Sequence, residues 1–293
     1  MVTMNNTETK KKKSGGMWRE AMKRFAKNKM ALLGLAILIV MVIFAVFAEQ
    51  IAPYGIDDQD YNVALKRPCK EYLLGTDGLG RDIFSRIVYG ARTSLSISAS
   101  SVLIATIIGG TLGALAAYYG GFLDTVIMRG LDIFLAMPSI LFAVAIAAAM
   151  GTGIQNTLIA ITITEVPGLA RIMYSSVISL KEQEYIRAAR SIGANDGRIL
   201  LKHILPNALA PMLVQSTLYI ASAILSISSL SFIGLGIQPP TPEWGSMLSA
   251  GRVYMREAAY IMVFPGLAIM LTIFGFNLMG DGLRDALDPK LKD

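Results

Sequence analysis

Few side chains in this 293-residue sequence could make or break bonds. One cysteine, Cys69, excludes an internal disulfide; one histidine, His203, excludes a His-rich metal site, and no Cys/His cluster occurs. The phosphate-loop pattern G-x-x-x-x-G-K-[ST] is absent. The expectation is a chain with no catalytic residues, no metal and no cofactor of its own. Two features remain. Glu165 stands beside Pro167 inside an apolar run, where an ionisable group marks either a transport pathway or a local ion pair, here with Arg171; the pair is slightly favoured. The second is Glu184 to Pro206, a charged, helix-forming island between two apolar segments. It must face water and a partner, because it cannot serve a bilayer.

Hydrophobic residues make up 54% of the chain and charged ones 16%. Soluble domains carry roughly 25% charge. The apolar residues lie in runs long enough for the ~20 residues that a membrane span needs. The net charge of +6 sits beside these runs, which fits membrane topology rather than nucleic-acid binding.

In chain order, residues 1–29 read as a tail followed by an interfacial helix, with Trp18 and Phe25 on its apolar side and Arg19, Lys23, Arg24 and Lys27 on the other. The first span covers 30–50. Its apolar core is too long for a cleaved signal peptide. A polar external loop runs over 51–91, and a five-helix unit over 92–281, with spans near 94–119, 133–150, 154–171, 207–230 and 258–279. Residues 282–293 are a second tail. Gly109, Gly113 and Ala117 form a small-residue stripe suited to close helix packing. Residues 120–132 read as a short connection in which Arg129 can pair with Asp132, and Pro138 is expected to kink the third span. Six spans put both termini on one side, and most lysines and arginines place that side in the cytosol.

Within the island, Leu180 to Gln183 prolong the helix of the fourth span. Ala188 and Ala189 are small helix formers that let a partner approach the backbone. Gly193 can end the first helix, Asn195 or Asp196 can cap the next, and Pro206 opens the fifth span. The predicted form is helix, tight turn, helix.

This segment resembles the cytoplasmic signature of ABC importer permeases, E-A-A, three residues, Gly, nine residues, I-x-L-P. Arg187-Ala188-Ala189 take the E-A-A place, Gly193 the glycine and Leu205-Pro206 the L-P. Arg187 replaces the acid and His203 stands for an Ile, as is similar in the peptide and nickel branch. Gly75–Leu95, Leu131–Ser139, Ser231–Gly245 and Gly280–Pro289 resemble that branch's other motifs, in the same order. The resemblance implies an all-α polytopic membrane protein of six helices with the type I importer permease fold. It further implies a bacterial or archaeal cell-membrane permease for peptides, with nickel or glutathione as alternative cargo. ATP and Mg would sit on two separate ABC ATPase subunits. A homologous second permease and an extracytoplasmic substrate-binding protein are the other implied partners. ATPase docking falls to Glu184, Arg187, Ala188, Ala189, Gly193, Ala194, Asp196, His203 and Pro206. Two other classes compete. An ion-coupled secondary transporter needs ionisable groups inside its spans, and Glu165 is the clear internal acid. A structural scaffold leaves the island's shape without a reason.

Overall fold

The computed structural model describes residues 17–287, so the expected tail 1–16, the end of the second tail and the side chain of Trp18 lie outside the described residues. Twelve helices follow in order among those residues: α1 (Met17–Phe25), α2 (Lys29–Val46), α3 (Ala48–Ile51), α4 (Ile83–Tyr119), α5 (Gly121–Leu135), α6 (Ser139–Met150), α7 (Ile154–Lys181), α8 (Glu184–Ser191), α9 (Asp196–Ile199), α10 (Leu205–Phe232), α11 (Trp244–Gly251) and α12 (Tyr260–Leu287). Five stretches are long and apolar enough to cross a membrane, and the bent pair α5–α6 brings the number to six. No named strand occurs among the described residues; Thr76 and Asp82 form an isolated bridge.

Three expected boundaries shift, each for a physical reason. The second span, expected near 94–119, lies in a longer helix that begins at Ile83, where Asp82 Oδ2 accepts from Ser85 N at 2.8 Å and Ser85 Oγ at 2.7 Å. At about 1.5 Å per residue, a 37-residue helix outruns the ~30 Å hydrocarbon layer, so its ends carry polar residues. Residues 120–132 are not a connection but most of a 15-residue helix, α5. Pro138 does more than kink a span. It stands as the N-cap of α6, and α5 and α6 meet at 89°. A proline cannot donate to the preceding turn and disfavours a helical residue before it.

Lipid offers no hydrophobic drive between helices, so close packing has to hold them together. The largest interface joins α4 to α7. A Cβ at Gly109 would stand 2.7 Å from the Val166 carbonyl oxygen, and one at Gly113 would overlap the Ala170 carbonyl. Ala117 completes the stripe at 1% exposure. Gly34 of α2 meets the Gly275 carbonyl of α12 in the same way. The first helix buries Ala21 and packs on α12 near Gly282.

Polar locks close the end of the bundle near the 52–82 loop. Glu243 is fully buried and caps α11, accepting from Gly245 N at 2.9 Å and Ser246 N at 2.8 Å, while Ser228 Oγ donates at 3.2 Å. Trp244 Nε1 donates to the Ile87 carbonyl at 3.1 Å, and its ring lies over Gly90. These contacts tie α11 to α4 and α10. Tyr260 Oη donates to the Lys66 carbonyl at 3.1 Å, tying α12 to the loop.

Candidate functional site: the 184–206 hairpin

The hairpin lies at the opposite end of α4 from that loop: α4 starts at Ile83, capped by Asp82, and finishes beside α9. Its first helix, α8, ends as a glycine-terminated helix should. Gly193 adopts φ +86°, Gly193 N donates to the Arg190 carbonyl at 3.0 Å, and Ala194 N donates to the Ala189 carbonyl at 3.1 Å. That pair of bonds is a Schellman closure, in which the left-handed residue is cheap only as glycine. The predicted cap of the next helix is made by Asn195, whose Oδ1 accepts from Arg198 N at 2.8 Å. A π-turn over Leu200–Ile204 then runs straight into α10, and Pro206, which has no N–H to give the preceding turn, follows that irregular turn directly.

One face of the hairpin is core. Ile186, Ile199 and Ile204 are each at most 1% exposed and join Met173 and Val177 of α7 and Tyr118 of α4 in one apolar cluster. Polar contacts fasten the same face. Tyr118 Oη donates to Asp196 Oδ1 at 2.6 Å. Lys181 Nζ donates to the Tyr118 carbonyl at 2.7 Å and lies 5.7 Å from the Tyr118 ring centre. A cation on the last carbonyls of a helix also opposes its dipole.

The other face is open. Glu184, Arg187, Ala188 and Gly193 are exposed, Ala189 and Ala194 half-buried. Arg187 pairs with Glu182 at 3.2 Å, but both are exposed, so the pair adds little stability. Added at Gly193, a Cβ would meet nothing within 4 Å. Ile192 at the tip is 86% exposed.

Of the residues expected to dock a partner, Glu184, Arg187, Ala188, Ala189, Gly193 and Ala194 therefore share the outer part of one element. Asp196 instead reaches back to Tyr118, His203 is half-buried on the π-turn, and Pro206 belongs to α10. Ile192, Tyr118 and Lys181 were not anticipated. An isoleucine directly before a helix-ending glycine was the available signal for Ile192; nothing local ties Tyr118 to residues so far along the chain.

Glu165 is buried in α7, on the side opposite the exposed Ile159 and Ile163. Its expected partner Arg171 pairs with Asp132 of α5 instead, and Arg129 approaches the same carboxylate at 3.9 Å. Arg171 is six residues from Glu165, which puts it on another helix face. The nearby Tyr219 Oη lies against Gly168, one turn along α7.

Comparison with known proteins places this arrangement. Residues 109–293 match the family model described as the binding-protein-dependent transport system inner membrane component, and residues 16–68 match the N-terminal TM domain of oligopeptide transport permease C. The chain is 50% identical over 275 residues to the dipeptide transport system permease protein DppC of Alkalihalophilus pseudofirmus, covering 94% of this chain and 90% of that protein. It is 45% identical over 276 residues to the glutathione transport system permease protein GsiD of Pectobacterium atrosepticum, covering 94% and 92%. Among solved structures, the inward-facing MetNI methionine ABC transporter superposes with a TM-score of 0.58 at 18% identity, over 70% of this chain and 98% of that one, a likeness of fold. The apolar helices and these relatives make it a multi-pass inner-membrane protein, and the chain belongs to the family of binding-protein-dependent transport-system inner-membrane permeases, in its peptide branch.

Proposed function

We propose that this chain is one of two permease subunits of an ATP-driven importer of short peptides, and that its 184–206 hairpin is the joint to a separate ATPase subunit. The observation that carries the reading is the two-faced hairpin: three isoleucines and the Tyr118 bond fix it to the bundle, while Ala188 and Ile192 stand open. A joint has to be stiff to transmit work. Moving a 1:99 conformational population to 99:1 takes about 5.5 kcal/mol of differential binding, and a loose linker would dissipate it. ATP and Mg belong on the partner ATPases, and the chain itself does no chemistry. A homologous permease forms the other half of the pathway, and an extracytoplasmic binding protein delivers the cargo. Both termini and the hairpin face the cytosol in this reading. Glu165 is assigned to the pathway side of the α7–α10 contact.

The test is ATP-dependent uptake of labelled dialanine by the complete transporter in vesicles. Ala188→Trp, which adds bulk on the open face without backbone strain, should abolish uptake while the subunit still inserts. A cysteine at Ala189 should cross-link to the ATPase. Undiminished uptake by Ala188→Trp would reject the joint. Glutathione is the second cargo to offer, because the GsiD relatives carry that name. Should vanadate leave uptake intact while Glu165→Gln stops it, an ion-coupled mechanism would replace this one.

A further inference from the structure

We propose that the cavity between the 77–86 segment and α11 is a carboxylate site held by Arg86; under the import reading above, its occupant is the terminal carboxylate of a short cargo peptide. The cavity encloses about 220 Å³. Ile83, Met247 and Ile261 give it an apolar floor, and Asp77, Arg81 and Arg86 form its charged wall.

The charges on that wall do not close among themselves. Asp77 is fully engaged: Oδ1 accepts from Leu79 N at 2.9 Å and Arg81 N at 3.0 Å, and Oδ2 takes Arg81 Nε at 2.7 Å with Arg81 Nη2 also at 2.7 Å. Arg81 is thereby paired. Arg86 is not. It is 3% exposed, yet its one hydrogen bond runs from Nη1 to the Ile56 carbonyl at 3.1 Å, and its Nε stays 4.0 Å from the occupied Asp77 Oδ2. Asp82, one turn back, spends Oδ2 on capping α4; its buried Oδ1 has no hydrogen-bond partner among the described residues, yet it lies outside ion-pair distance of Arg86 and does not line the cavity. Asp57 acts on Arg86 only through its longer-range field.

A buried guanidinium without a matched anion is unfavourable, and its planar fork fits a carboxylate with two parallel bonds. The volume is below the ~300–1,000 Å³ of drug-sized pockets, which selects a small group with an aliphatic neighbour over a large anion. The place is also apt. The cavity lies at the end of α4 away from the hairpin, which the import reading makes the side where cargo arrives.

The experiment uses the assembled transporter in lipid nanodiscs without the external binding protein, and measures radiolabelled dialanine by equilibrium dialysis. Dialanine should bind saturably, and dialanine amide should compete at least tenfold more weakly. Arg86→Gln should weaken binding tenfold or more. Ala250→Trp, at the exposed rim, should plug the cavity and remove binding while the complex melts as wild type, which covers the case in which Arg86→Gln does not fold. Equal competition by the amide, or wild-type binding in both variants, overturns the proposal. Absence of saturable binding also overturns it, including the case in which Arg86→Gln instead weakens capture of the binding protein, whose own acidic side chain would then be the occupant. Uptake by the complete system separates the two readings. If wild type transports dialanine and both variants bind and transport it equally well, the cavity assignment falls and the import reading stands. If wild type transports no peptide, the import reading falls, and labelled acetate in the same dialysis decides the cavity alone.

Discussion

The Tyr118 hydroxyl donates to Asp196 Oδ1 across 2.6 Å, binding the last turn of α4 to the first residue of α9, 78 positions further on. With Lys181 on the Tyr118 carbonyl, the hairpin is fastened to three long helices: α7 and α10, which it joins covalently, and α4, which it grips through side chains. Force applied at the hairpin tip therefore reaches α4 directly, as well as through the glycine-lined α4–α7 interface.

Tyr118→Phe removes that hydrogen bond and keeps the ring. A bond to a charged group contributes about 1.5–3 kcal/mol, and the exposure of Asp196 puts this one at the lower end. The expected outcome is a complex that assembles and hydrolyses ATP but imports fewer peptides per ATP, measured by parallel uptake and phosphate release. An unchanged ratio would show that α7 and α10 carry the coupling without α4.

Glu243 should matter for stability rather than for coupling. Its carboxylate holds two N–H groups of α11 and the Ser228 hydroxyl inside a fully buried site. Glu243→Ala leaves those donors without acceptors, at about 1–3 kcal/mol for each group. Glu243→Gln keeps one acceptor oxygen and should cost less. Thermal melts of detergent-purified protein should rank wild type above Gln above Ala, with ATPase coupling in the surviving Gln variant intact.

Much of this was legible beforehand, because the deciding interactions are local in sequence. The Ala188-Ala189 pair, the Gly193 turn and the Asn195 cap form within one supersecondary unit, so residue types and spacing suffice. The Gly109–Gly113 stripe was equally plain. The missed features depend on distance along the chain. Tyr118 meets Asp196, Arg171 meets Asp132 across 39 positions rather than its near neighbour Glu165, and Glu243 meets Ser94 149 positions away. The kink expected at Pro138 is present, but its size of 89° was not legible, because hydropathy sums over residues and carries no angle.

Orientation can be read from the lone cysteine. Cys69 is partly exposed in the 52–82 loop, at the end of α4 opposite the hairpin. A membrane-impermeant maleimide should label Cys69 in intact cells or spheroplasts. In a Cys69→Ser background, Ala188→Cys should be labelled only after permeabilisation. The reverse pattern would place the hairpin outside and rule out its contact with a cytosolic ATPase.

Gly110 and Gly113, three residues apart on α4, should respond oppositely to the same change. At Gly113 a Cβ would run into the Ala170 carbonyl and crowd Tyr174 N at 3.0 Å, both backbone atoms of α7 that cannot step aside alone. At Gly110 the nearest atoms are the terminal methyls of Met212 at 3.4 Å and Met173 at 3.6 Å, ordinary contacts with flexible side chains. Helix propensity favours alanine over glycine by about 0.8–1.0 kcal/mol at either place, so steric fit decides the sign. Gly110→Ala should raise the melting temperature or leave it unchanged, with transport retained. Gly113→Ala should lower it by several degrees and reduce the yield of assembled complex, because α4 and α7 must separate to admit the methyl. If both substitutions prove neutral, the α4–α7 contact is looser than the glycine stripe requires.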